Sequence, residues 1–333
     1  MQQLRRAVRI IPLLLLPAPL SAQSVGPLAK HVTIHGTIAL EESDSVLTVA
    51  PTVVSDPLGG FIVADARDAQ VRLYDHSGRL KKLVARPGSG PGEVQAPTAV
   101  VRRADGHILV ADVMAGAILE FDSTGSNELR RYPAPFPITR LLDLGDALLA
   151  SGVHATSRGE PPMLLHLWEG TFDRGGFFAI PTVRVPAPVV GTYGFTSAAI
   201  SGNEIFAVYS LSDTLYVFSR SGDPVKKIGL ELKHWSLPTG TADGPPGSPA
   251  RRAWEERLTR IFDVHVVGDR ILIQYAGRQD GELVWRLACI TRDGEKLFDL
   301  DGTPRLLTVV GDRLYFVDAE SLTEDRWVVA SLR

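Results

Sequence analysis

Gly59-Gly60-Phe61-Ile62-Val63-Ala64-Asp65 is a glycine turn running into a short β-rich segment, and Asp105-Gly106-His107-Ile108-Leu109-Val110-Ala111-Asp112 repeats it. Four more worn copies start at Gly145-Asp146, Gly202-Asn203, Gly268-Asp269 and Gly311-Asp312. A unit of short strands recurring every roughly 40–60 residues cannot bury its apolar faces alone and must stack on its neighbours. In an all-β chain this points to a β-propeller, and six copies predict six blades.

Each blade is expected to hold four antiparallel strands, from inner strand a to outer strand d. The reading places blade one at 46–54, 61–65, 70–75 and 80–85, and blade two at 98–103, 107–112, 117–122 and 128–132. Blade three falls at 138–144, 147–153, 163–168 and 177–182, and blade four at 195–200, 205–209, 215–219 and 225–230. Blade five falls at 261–267, 271–275, 284–291 and 296–300. Alternation in Val71-Arg72-Leu73-Tyr74 and Ile118-Leu119-Glu120-Phe121 suits half-buried strands. The third strand ends in a turn at Gly78, Gly125, Gly222 and Gly294, where a tight hairpin needs positive φ.

Blade six has 306–310, 314–318 and 327–332 and is one strand short. The donor is Val32-Thr33-Ile34-His35-Gly36-Thr37-Ile38-Ala39-Leu40, which has strand character and no blade of its own. Pairing it as the outer strand of blade six joins the two ends of the chain and removes two open sheet edges.

Hydrophobic residues make up 44% of the 333 residues, enough for a packed core, and 31 Gly with 23 Pro suit many tight turns. The first 22 residues read as a signal peptide. Arg5, Arg6 and Arg9 precede an apolar run over 10–20, and Ser21-Ala22 supplies a small-residue cleavage site. The run is too short to span a bilayer. Residues 23–333 then form one propeller domain in the periplasm or outside the cell. Cleavage removes three Arg and no acidic residue, so the formal charge moves from −3 to −6. That balance disfavours nucleic acid and anionic membranes as main partners, and the reading is of a monomer. Cys289 is the only cysteine, so an exported chain has no internal disulfide. Its apolar neighbours Leu287, Ala288 and Ile290 make it a buried thiol rather than a nucleophile.

Residues 231–259 interrupt the rhythm between blades four and five. A Gly/Pro-rich loop at 238–247 leads into 249–258, which reads as a helix of about three turns. The insertion is expected to cap the rim or to lie over the funnel.

Leu83-Val84-Ala85-Arg86-Pro87-Gly88-Ser89-Gly90-Pro91-Gly92-Glu93-Val94, with Ala96-Pro97 and the Val-Ala-Asp runs above, resembles the NHL-repeat propellers. More narrowly, it is similar to exported bacterial six-bladed propeller proteins. The likeness is close over residues 59–125 and faint beyond. It implies the fold; propellers of this pattern serve as binding, lyase and lactonase scaffolds. Physically, Gly88, Gly90 and Gly92 permit a sharp return from an outer to an inner strand, and Glu93 reads as a brace accepting backbone N–H groups. Asp65, Asp112 and Asp318 end their second strands at one repeat position and read as caps of the following turn.

The b–c loops open on one face of a propeller. Arg67, Asp68, His154, Arg158, Asp213, Arg278 and Asp280 lie on them, with Glu160, and are the candidate ligand-binding rim. The eight His are scattered without tight metal-ligand spacing, and His265 on an inner strand is the one expected to face the channel. No G-x-S-x-G elbow and no Cys–His pairing is present. The sequence therefore calls for no cofactor and no catalytic residue, and favours a binding module for a protein, peptide or glycan. The alternative is a metal-assisted hydrolase or lyase using a divalent ion on His265 and rim carboxylates. Three or more His, Glu, Asp or Asn converging on the channel would favour the enzyme; a wall of Val, Leu and Thr would favour binding.

Overall fold

The repeated Phe61–Asp65 and Ile108–Asp112 runs are buried at every position. This is why they read as continuous apolar segments rather than alternating ones: a second strand has a blade packed on each of its faces. Outer strands behave oppositely. Glu128–Pro133 and Pro224–Gly229 are exposed at most positions and carry Arg and Lys.

The computed structural model describes residues 22–41, 51–154, 161–168, 176–183, 185, 187–238, 244–245, 247–318 and 326–333. A 3₁₀ segment, Ala22–Lys30, precedes β1 (Val32–Ala39). Blade one is β2 (Thr52–Ser55), β3 (Phe61–Asp65), β4 (Gln70–Tyr74), β5 (Leu80–Pro87) and a short fifth strand, β6 (Glu93–Val94), parallel to β5. Blade two is β7 (Pro97–Arg102), β8 (Ile108–Asp112), β9 (Ala117–Phe121) and β10 (Glu128–Pro133). Blade three is β11 (Arg140–Asp143), β12 (Leu148–His154) and β13 (Met163–Trp168). Among the described residues, its fourth position is held by isolated bridges at Gly176 and Ala179 in place of the strand expected over 177–182.

The helix α1 (Ala187–Tyr193) then leads to blade four, β14 (Thr196–Ser201), β15 (Glu204–Tyr209), β16 (Thr214–Ser219) and β17 (Pro224–Gly229). After α2 (Pro249–Glu255) comes blade five, β18 (Thr259–Val267), β19 (Arg270–Gln279), β20 (Glu282–Thr291) and β21 (Lys296–Asp301). Blade six is β22 (Leu306–Val310), β23 (Arg313–Val317) and β24 (Arg326–Leu332), completed by β1. The six-bladed propeller is thus the fold, and the N-terminal strand closes it.

Closure is a full antiparallel ladder from Val32 opposite Leu332 to Ala39 opposite Arg326, with one bulge between Ile34 and Gly36. The bulged His35 bonds Ser331 Oγ through Nε2 at 2.8 Å. Ahead of β1, Val25 and Leu28 are fully buried beside Leu306 and Phe316. At the seam between blades six and one, Trp327 and Tyr315 pack edge-on against Phe61 at 5.0 and 4.8 Å. Each such ring contributes about 2–3 kcal/mol by burial.

Arginines brace neighbouring blades at the opposite end from the helices. Arg102 Nε donates to Asp56 Oδ1 at 2.7 Å, and the same side chain reaches the Ser123 carbonyl. Arg292 of blade five donates to Glu204 and Ser201 of blade four.

Two details correct the sequence reading. The insertion helix has two turns, not three, because Thr259 N already bonds the Ser236 carbonyl and starts β18 there. The connection from blade three to four holds a further helix, α1, which the sequence did not announce; it carries Val189 into the core beside Trp254.

Removing residues 31–40 should leave β24 an open edge. Size-exclusion chromatography of the truncated chain is expected to show aggregates, with a lowered melting temperature. A monomer that melts like residues 23–333 would contradict closure by β1.

Candidate functional site

The inner strands wall an axial channel that is divided in two. The upper cavity, about 160 Å³, opens among Pro51, Thr139, Phe195, Trp285 and Arg305, at the end carrying the connections with α1 and α2. The lower cavity, about 450 Å³, is walled largely by Val, Ala, Leu and Ile of the same strands. Arg140 and Asp263 line both cavities.

These two residues, from β11 and β18, form an ion pair between blades three and five. The remaining valences of Asp263 are occupied as well. Ser197 Oγ of β14 donates to its Oδ1, and its own strand's Val264 N donates at 2.9 Å. His265 Nε2 lies 3.5 Å from Oδ2. Burial alone would raise the Asp263 carboxyl; the Arg140 charge, then His265 and Ser197, override it and hold the group well below the usual carboxylate range. The result is a fixed, internally neutralised plug across the channel.

A β-bulge shapes the mouth above the plug. Ile261 pairs with Tyr275 and Asp263 with Gln274, leaving Phe262 unpaired between them. Consecutive residues Phe262 and Asp263 both line the cavity. Phe262 meets Trp285 edge-on at 4.8 Å and Phe195 at 5.8 Å. Guanidinium groups cover these rings: Arg305 lies 5.8 Å from Trp285, and Arg260 lies 4.9 Å from Phe262 and 5.0 Å from Tyr193. At the flank, Tyr193 of α1 donates to Glu255 of α2, and Arg251 of α2 bonds both. The helices of the two connections thus clasp each other and border the mouth.

Most candidate rim residues sit away from this axis. Among the described ones, Arg67, Asp68, His154, Asp213, Arg278 and Asp280 line neither axial cavity. The b–c loops follow the second strand, so they start about 5–10 Å outward from the inner wall. Asp68 pairs with Arg72 at 3.7 Å, and His154 stacks on Phe136 at 5.3 Å. Burial raises the Asp213 carboxyl. Asp280 has a left-handed φ of 52° at the β19–β20 turn, and Arg278 Nη1 donates to Gly281 O in that turn. Arg158 and Glu160 lie outside the described residues. His265 does face the channel, in the lower cavity. Among the described residues no three of His, Cys, Asp and Glu gather as metal donors.

The glycine motif and the repeated aspartates act within the scaffold. Glu93 Oε2 accepts from Gly90 N at 2.8 Å and Oε1 from Arg86 at 3.1 Å, while Gly92 N donates to Glu128 of blade two. A Cβ on Gly88, at φ 147°, would lie 2.1 Å from Glu93 Oε2. Asp65 Oδ1 accepts from the N–H groups of Arg67 and Asp68, and Asp112 from those of Gln95, Ala96, Met114 and Ala115. Asp318 pairs with Arg326 at 3.0 Å.

Residues 27–140 match the family described as "DUF5128: 6-bladed beta-propeller". No curated protein matches the sequence. Among solved structures, the fold is similar to a protein described as exported, from Bacteroides fragilis NCTC 9343, with TM-score 0.66 and 14% identity over 91% of this chain and 95% of that one. It is likewise similar to a member of the duf4221 family from Bacteroides vulgatus ATCC 8482, with TM-score 0.65 and 10% identity over 91% and 97%. At these identities the likeness is one of fold. Among the described residues, no helix is long and apolar enough to cross a membrane.

Asp263→Asn should cost about 3 kcal/mol, the low end for a broken buried pair, because 22% of the Arg140 side chain stays exposed. A lowered folded-state pKa contributes stability that is present above about pH 4–5 and lost as pH falls further. Melts between pH 7 and 3 should therefore show a weaker acid dependence in D263N than in the parent. Parallel curves would contradict the plug.

Proposed function

We propose that the protein is an exported, non-catalytic binding module that holds a protein, peptide or glycan at the axial mouth of its helix-bearing face. Export rests on the leader-like first 22 residues and agrees with the fold's similarity to a protein described as exported. The observation that carries the binding reading is the mouth itself. Three aromatic rings and a guanidinium surround a cavity whose floor is already neutralised by Arg140, Asp263 and Ser197. Aromatic and arginine side chains around a recess are what binding hot spots are made of. At about 160 Å³ the recess is smaller than the 300–1,000 Å³ of ordinary small-molecule pockets. It suits the tip of a larger ligand whose body crosses the rim. The metal-assisted alternative, with His265 and rim carboxylates as donors, has less support: the carboxylate beside His265, Asp263, is engaged by Arg140 and Ser197, and Asp68, Asp213 and Asp280 line neither axial cavity.

Peptide and glycan arrays probed with residues 23–333 test this. Retained ligands should lose at least tenfold in affinity with the double variant F262A/W285A, as loss of two aromatic anchors implies. The rim variant R67A should bind as the parent does. Ligands indifferent to F262A/W285A, or equally sensitive to R67A, would contradict a site at the mouth.

A further inference from the structure

We propose that the axial mouth recognises a carboxylate on a peptide, with Arg260 as its principal partner. The inference rests on the binding reading above and adds the chemistry of the bound group. Arg260 is outside the recess lining proper and stands beside it, stacked between the ring of Tyr193 and that of Phe262, which does line the recess. Stacking fixes the plane of a guanidinium and leaves its edge, where the N–H donors lie, free to meet a carboxylate in a two-pronged bond. Among the described residues no carboxylate or carbonyl accepts from Arg260; its contacts are the two ring faces. Burial pushes its guanidinium down from the ordinary value, which an arriving anion would relieve.

A second observation points the same way. Thr196, 2% exposed, lines the cavity, and its hydroxyl has no hydrogen-bond partner among the described residues. It is a buried donor and acceptor facing the recess. The local charge agrees. Arg140 and Arg305 line the recess and Arg260 stands beside it, against Asp263 as the one lining acid among the described residues. This excess of cations stands out in a chain of formal charge −3.

Donors predominate over acceptors here. Asp263 is engaged by Arg140 and Ser197, the Gln274 amide by Pro304 O and Leu306 N, and Thr139 by Ser151. A sugar, whose hydroxyls need acceptors, is poorly served. A carboxylate on an apolar stem is well served, with Phe262, Trp285 and Phe195 around the stem.

The test is an array of ten-residue peptides printed as matched sets: Asp/Glu against Asn/Gln at internal positions, and free against amidated C-termini. Hexuronate oligosaccharides are printed alongside. Carboxylate-bearing peptides should bind at least tenfold more tightly than their neutral partners. R260A should abolish that difference, R260K should retain part of it, and T196V should weaken binding a few-fold; thermal melts verify that each variant folds. The internal and terminal sets tell a side-chain carboxylate from a chain terminus. Peptides that bind in an F262A/W285A-sensitive way, yet equally well when neutral, would overturn the inference and leave the binding reading standing. Hexuronates bound in preference to peptides, with Arg260 dependence, would overturn the peptide assignment. Binding to any probe that ignores both Arg260 and the rings would overturn inference and reading together.

Discussion

One long-range strand pairing holds this molecule together: β1 on β24, joining the two ends of the chain. Without it blade six has three strands and the ring two open edges. With it, each blade is clamped between two neighbours, and no side of the ring can splay. The chain has a single, buried cysteine and no disulfide, so closure and the packing of blade on blade carry the stability that secreted domains often take from cross-links. The aromatic seam of Phe61, Tyr315 and Trp327 lies beside the closing blade, where the first and last blades must be held.

Closure also sets the geometry of the axis. Arg140 and Asp263 are far apart in sequence and lie on blades that are not adjacent, yet the ring brings their side chains into contact. A lone charge at either position would be expensive to bury; the pair, completed by Ser197, is tolerated and rigid. Its consequence is an ion pair held inside the channel, lining the cavity on either side. The mouth above the plug faces α1, α2 and the bulge at Phe262. Bulges and long connections that converge on a recess are features that shape a site rather than defects in a sheet.

Much of the scaffold was legible in the sequence, because repetition and hydrophobic runs report burial directly. The closing strand could be found by counting, since Val32 to Leu40 had strand character and blade six lacked a strand. The brace role of Glu93 followed from its place at the glycine turn, and the turn-capping of Asp65 and Asp112 from their repeat position. The mouth was not legible. Arg140 and Asp263 lie inside predicted inner strands, and a charge amid aliphatic residues on such a strand is the signal the sequence carries. Phe262 could not be placed, because its approach to Phe195 and Trp285 is a tertiary contact that leaves no mark in the alternation. Arg260 and Tyr193 meet only through α1 and the insertion, a tertiary contact without a sequence pattern. The b–c loop residues were read as a rim on topology alone, which locates the face and not the distance from the axis.

The most direct test of the account is fluorine NMR of residues 23–333 labelled with 5-fluorotryptophan. The chain has five tryptophans, Trp168, Trp235, Trp254, Trp285 and Trp327, and only Trp285 lines the upper cavity. Titration with an array-selected peptide should move the Trp285 resonance, assigned through W285F, while Trp168 and Trp327 stay in place. A bound peptide that leaves Trp285 unmoved and shifts another tryptophan would contradict a site at the axial mouth.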